Sequence, residues 1–339
     1  MKLLAHKKSL GILAFSMIAT NTFTYYYANK KSNLETEEVS NTNNNSACGY
    51  KVKRISGYNF IKPILVVDEQ YESSNVSPIK QNLTNLIDNY KKIGVINSAS
   101  VYIKEFNGNG WTGINTEEKF MPGSLMKVPE LIAYLKMNEI KPGTLDKVIL
   151  FDKMESIDRK TNFNSKSIQL GKKYTVRELL KYMISYSDNN ATALLNNNID
   201  LEVFKKVFTD LNLPAPDWGA KTYPITSREF SVFMRALYNG TYLNDENSEI
   251  ATKLLSQCDF KEGMLAGLPI NTKVAHKFGE SGTPQEQQLS ESAIIYLNDN
   301  PYAITIMTKG KDYKQLPQII KEISNATYQF MQQNVVAAN

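Results

Sequence analysis

Three short clusters in this chain carry groups suited to acyl transfer. Ser124-Leu125-Met126-Lys127 sets a hydroxyl and an amine three residues apart, and on a helix positions i and i+3 share a face. Serine is a weak nucleophile until a base takes its proton, and a lysine that burial has stripped of its charge can be that base. The turn Met121-Pro122-Gly123 places Ser124 at a helix start, where free backbone N–H groups favour a developing oxyanion. Ser187-Asp188-Asn189 follows a helix end near Ser185, and Lys277-Phe278-Gly279 lies in a late β-rich run ahead of Glu280-Ser281-Gly282. Each cluster alone has an ordinary reading, because such residues cap helices and strand lysines usually face solvent.

Other chemistries are poorly supplied. The 339 residues include two histidines, His6 and His276, and two cysteines, Cys48 and Cys258. That excludes zinc sites built from His and Cys clusters and four-thiolate iron–sulfur sites, so neither a metal nor a cofactor is expected. A Ser-His-Asp triad would depend on His276. Adjacent strand residues point to opposite faces, so His276 faces away from any cleft that Lys277 enters. The net charge of +5 is accounted for by Lys2, Lys7, Lys8, Lys30 and Lys31, in a stretch without acids. The remainder is neutral and shows no basic patch for nucleic acid.

The elements that must position these groups follow from periodicity. Ile79–Ile93 reads as an amphipathic helix, Ser98–Phe106 and Trp111–Asn115 as a hairpin, and 124–136 as a helix bent at Pro129. Thr175-Val-Arg-Glu178 and Thr226-Ser-Arg-Glu229 are capping boxes, the first opening a helix to Ser185 and the second one to Tyr238, and Asp200–Leu211 is a further helix. Val274–Phe278, Ala293–Leu297 and Ala303–Thr308 read as strands before a last amphipathic helix from Leu316. Strands from both ends then form one antiparallel sheet, the central helices a second lobe, and the site lies between them.

Residues 1–31 read as a signal peptide or membrane anchor. Ser9 to Asn29 has 21 uncharged residues between lysine pairs, about 31 Å as a helix. Residues 32–49 read as a polar tether and 50–78 as an N-terminal extension of unknown role. The folded domain is 79–339. The expected location is outside the cytoplasm, where Cys48 and Cys258 could pair.

Taken in order, serine-lysine at a helix start, Ser-Asp-Asn after a helix and Lys-x-Gly on a late strand resemble the signature set of the class A β-lactamase-like serine hydrolases. The flanking text KYMISYSDNNATALL and GLPINTKVAHKFGE extends the resemblance from about residue 79 to residue 332. It implies an α+β fold of the β-lactamase/transpeptidase kind: an antiparallel sheet flanked by helices, plus a mostly helical lobe. It also implies that Ser124 is acylated, Lys127 activates it, Ser187 relays a proton to the leaving nitrogen and Asn189 positions Lys127 and the substrate amide. Lys277, Gly279 and Glu280 would bind substrate, Lys277 through its carboxylate and Glu280 through its backbone N–H, which joins that of Ser124 in the oxyanion hole. The implied partner is a β-lactam or a peptidoglycan peptide, and a non-catalytic cell-wall-binding or scaffolding protein that keeps the fold is the alternative. Two departures stand out. Phe278 replaces a hydroxyl residue of the family, and the family's deacylating Glu-x-x-x-Asn loop is missing, which leaves Asp217 in LPAPDWGAK as the nearest substitute.

Overall fold

The computed structural model describes residues 38–40 and 49–338, apart from 56–59, 62, 155–160, 164, 218–221 and 298–299. Its centre is a five-stranded antiparallel sheet built from β4 (Ile96–Glu105), β5 (Trp111–Ile114), β10 (Lys273–Gly282), β11 (Gln287–Tyr296) and β12 (Tyr302–Gly310). The strand order is β10-β11-β12-β4-β5, so strands from both parts of the chain meet where β12 pairs with β4, with Thr305 opposite Tyr102. β10 is left as an edge.

Alternation along these strands feeds two cores. Val274, Ala293, Ile295, Ile304 and Ile306 pack with Leu83 and Ile87 of α1 (Ile79–Lys92) and with Ile319 and Ile323 of α8 (Leu316–Ala338). Ala275, Ile294 and Met307 face the other way, into the helical lobe. Lys277 shares the parity of Ala275 and so points toward that lobe.

The lobe contains α2 (Lys127–Ile140), α3 (Val176–Ser185), α4 (Asn189–Asn196), α5 (Leu201–Asp210), α6 (Ser227–Tyr238) and α7 (Asp245–Leu255). Both expected capping boxes form, at Thr175/Glu178 and Thr226/Glu229, and Asp200 caps α5 through the N–H groups of Glu202 and Val203. Two-stranded ribbons brace the lobe, β6 (Lys119–Phe120) with β9 (Ile225–Thr226) and β7 (Val148–Leu150) with β8 (Lys173–Thr175).

Several expectations are corrected. The helix at Ser124 opens as a 3-10 turn, Gly123–Met126, before α2. Pro129 is the third residue of α2, in a first turn whose N–H groups have no intrahelical acceptor, so it removes no α-helical bond. Residues 50–78 do not stand apart from the domain. β2 (Tyr50–Arg54) and β3 (Ile64–Glu69) form a hairpin whose Leu65 and Val66 are buried in the lobe's core. Asp68 of β3 bonds Arg235 of α6 and lies 3.9 Å from Lys104 of β4. Within the stretch read as a tether, β1 (Glu38–Ser40) pairs with β2. The segment Ser9–Asn29 and Cys48 lie outside the described residues. Cys258 is buried and has no disulfide partner among the described residues. Among the described residues, no helix is long and apolar enough to cross a membrane.

Candidate active site

β10 runs against the 3-10 turn at a distance only glycine permits. A Cβ on Gly279 would lie 2.1 Å from Pro122 O, 2.7 Å from Leu125 N and 2.9 Å from Ser124 N. On the turn's side Gly123 has φ +54°, and a Cβ there would lie 2.1 Å from Glu280 O. Two glycines therefore hold the backbone of Ser124 beside that of Glu280, the two N–H donors expected to form an oxyanion hole. Ser124 is half-buried at the mouth of this contact.

Lys127, the first residue of α2, is buried one helical step below Ser124. Its ammonium donates to Ser187 O (2.7 Å), Ser187 Oγ (3.2 Å) and Asn189 Oδ1 (2.8 Å). From the opposite wall Lys277 Nζ donates to Ser187 Oγ at 2.9 Å and to Phe278 O at 2.9 Å. Both lone pairs of the Ser187 hydroxyl are thus taken by lysines, which leaves its proton free to donate outward. Ser187 is held there with φ +54°, a left-handed backbone that a non-glycine residue adopts at a cost of about 1–3 kcal/mol.

Neither lysine keeps an ordinary affinity for its proton. Burial and then the nearby Lys277 charge pull the Lys127 amine well down. Burial lowers that of Lys277 to about 8. Lys277 Nζ also lies 4.1 Å over the Phe278 ring, a contact that supports a cation.

The other side chains of these motifs make contacts that brace the surrounding elements. Asp188 caps α4 through Asn190 N and accepts from Ser167 Oγ and Ile168 N, each at 2.8 Å. Phe278 stacks on Phe260 at 4.4 Å and meets Phe163 edge-on, so the departure from a hydroxyl residue serves a buried aromatic cluster. The Glu280 carboxylate accepts from Asn162 N, Asn162 Nδ2 and Phe163 N, tying that segment to β10. His276 faces away as expected: its Nδ1 is 2.7 Å from Glu291, which also accepts from Met264 N. Asp217 is exposed. Sequence reading missed Glu130, a buried carboxylate one turn beyond Lys127. The signal available was an acid three residues along an otherwise apolar helix face.

The sheet, the helical lobe and a cleft of this composition between them define a β-lactamase-like serine hydrolase. The profile of the beta-lactamase enzyme family matches residues 78–331, and the chain belongs to that family. A beta-lactamase from Phocaeicola vulgatus is 23% identical over 260 residues, spanning 68% of this chain and 79% of that protein. Among solved structures, a class A beta-lactamase from Mycobacterium abscessus has a TM-score of 0.62 and 20% identity over 74% of this chain and 98% of its own. A mutant of PBP-A, solved as an acyl-enzyme complex with penicillin G, has a TM-score of 0.63 and 18% identity over 76% of this chain and 97% of its own.

Proposed function

We propose that this chain is an exported serine hydrolase that forms an acyl-enzyme at Ser124 with a β-lactam or a D-alanyl peptide and releases it slowly. The observation that carries the reading is the convergence of Lys127 and Lys277 on the Ser187 hydroxyl, next to a serine whose backbone abuts the β10 edge. As free amine, Lys127 takes the Ser124 proton while Oγ bonds to the carbonyl carbon, and the Ser124 and Glu280 N–H groups stabilise the oxyanion. As the C–N bond breaks, Ser187 gives its proton to the leaving nitrogen and receives one from Lys127, along the 3.2 Å contact between them. Lys277 holds the substrate carboxylate. PBP-A of the same fold was captured as such an acyl-enzyme, which supports this chemistry here.

Release is the weak step. A placed carboxylate that takes the proton from attacking water typically contributes 10²–10⁴-fold. No Glu-x-x-x-Asn pattern occurs between Asn190 and Ile225, and Asp217 is exposed. A chromogenic cephalosporin should give a burst of about one equivalent and then a slow phase, with the burst absent in Ser124→Ala. Sustained turnover without a burst would defeat slow release. No adduct in the wild type would favour the non-catalytic, wall-binding alternative. For export, protease added to intact spheroplasts should digest the folded part, and protection until lysis would refute it. The support for export is the uncharged run Ser9–Asn29 between lysine pairs.

A further inference from the structure

Glu130 has no part in that scheme, yet its setting is unusual for a carboxylate. It lies three residues after Lys127 in the first turn of α2, so both side chains rise from the same helix face. Both are buried, and both face α4. Lys127 bonds Asn189 at the start of α4, the Glu130 carboxylate accepts from the Asn196 side chain at its end, and Tyr134 OH is pinned to Leu195 O at 2.6 Å. Among the described residues, Glu130 Oε2 has no hydrogen-bond partner and no cation stands within ion-pair distance of the carboxylate. A buried carboxylate with one oxygen unsatisfied and no counter-ion in contact is costly to keep ionised.

The charged groups around the pair are few. Lys127 faces Glu130 on its own helix, Asp188 at the cap of α4, and Lys277 and Glu280 on β10. Glu130 faces Lys127, Asn196 and Tyr134. Lys277 opposes a charge on Lys127, and among the neighbouring charged groups Glu130 favours that charge most, in addition to the acceptors on Ser187 and Asn189. Burial pushes the Glu130 carboxyl up as it pulls the Lys127 amine down, so their titrations approach one another.

We propose that Glu130 is a positioning residue that sets the pH at which Lys127 becomes a free amine, and so the pH at which Ser124 is acylated. The proposal rests on the acyl-serine reading above. Over the middle of the range the pair holds one proton. Either the amine carries it beside an anionic Glu130, or Glu130 carries it beside a free amine, and the net charge is zero in both. Only the second form can accept the Ser124 proton as the acyl bond forms. An ionised Glu130 therefore holds the nucleophile idle, and a neutral one releases it.

The variant Glu130→Gln keeps the shape and removes the anion. Losing a nearby opposite charge shifts an ionisable group by about 1–3 pH units, so Lys127 should lose its proton at lower pH. The acid limb of labelling by a fluorescent penicillin should move down by about one unit or more. One unit below the wild-type midpoint, the variant should then label about five times faster. An acid limb in the same place overturns the proposal.

A second measurement does not depend on activity or on the variant's folding. In the full chain carrying ¹³C-labelled lysine and glutamate side chains, the Lys127 and Glu130 signals should titrate over one shared pH range. A Glu130 signal that has finished moving below pH 5 would overturn the proposal. If the wild type never labels, the acyl-serine reading fails, while the titration still decides whether Glu130 governs Lys127.

Discussion

Lys277 is completely buried on β10, and burial lowers its amine to about 8. Below that pH it is an ammonium able to hold a carboxylate, and above it the charge is lost. Labelling by an anionic penicillin should therefore fall as pH rises past about 8. Lys277→Arg keeps the charge, because guanidinium does not titrate in the accessible range, and should move that fall beyond about pH 10. Stopped-flow labelling against pH reads this directly, and an alkaline limb unmoved in the arginine variant would remove Lys277 from carboxylate binding. Ser124, Lys127, Ser187, Asn189 and Lys277 were legible in the sequence because each sits in a short local pattern and their order along the chain is distinctive. Glu130 was not. An acid in a first helical turn reads as a partner for the helix dipole, and its burial depends on groups brought up from distant parts of the chain, Asn196 of α4 among them, a long-range fact.

At the scale of elements, the site depends on β10 touching the 3-10 turn. Gly279→Ala would set a methyl within 2.9 Å of three backbone atoms, none of which can rotate aside as a side chain could. The strand and the turn must part, separating the two oxyanion donors. Loss of one such donor costs about 10²–10³-fold, so labelling should drop by about that much while far-UV circular dichroism stays native. Labelling within tenfold of wild type would show that this contact does not set the rate. The capped helices were readable because Thr175/Glu178 and Thr226/Glu229 announce themselves locally. The late strands read too short. Ser290, Glu291, Ser292, Thr305 and Thr308 are buried polar residues that break the apolar pattern. Ser292 pairs with Thr305 at 2.7 Å and Thr308 bonds Leu289 O across strands, Glu291 bonds His276 and Met264 N, and Ser290 Oγ has no partner among the described residues. Helix α7 was missed because its opening, Asn244 to Asn247, reads as a polar loop, although Asn244 is its cap.

For the molecule as a whole, the match to the family begins at residue 78, but the folding unit begins earlier. The β2–β3 hairpin buries Leu65 and Val66 in the lobe, roughly 1.5–3 kcal/mol each. Trp111 Nε1 donates to Glu69 O at 2.9 Å. Asp68 is the only anion within ion-pair distance of Arg235 among the described residues. Burial alone would raise the Asp68 carboxyl, but Arg235 and Lys104 outweigh it and hold it below the usual range. Removing one partner of a buried pair costs about 3–5 kcal/mol. Together these terms approach the about 5–15 kcal/mol that keeps a domain folded. A chain starting at residue 79 should therefore be largely unfolded at 37 °C, whereas one starting at residue 49 should melt cooperatively. Calorimetry of the two chains decides it, and equal melting temperatures would show the hairpin to be an appendage. Asp68→Asn isolates the charge. The folded-state value of this carboxyl lies below its unfolded one, so its contribution is present above about pH 4 and disappears as pH falls through the folded value. The variant should lose about 3–5 kcal/mol to urea at pH 7, and the gap should narrow below about pH 4, where the unfolded chain's carboxyl takes up a proton and the native one still resists it. A gap that stays constant down to pH 3 would mean that Arg235 does not depend on this charge, and that packing of the hairpin, not its ion pair, holds it to the lobe.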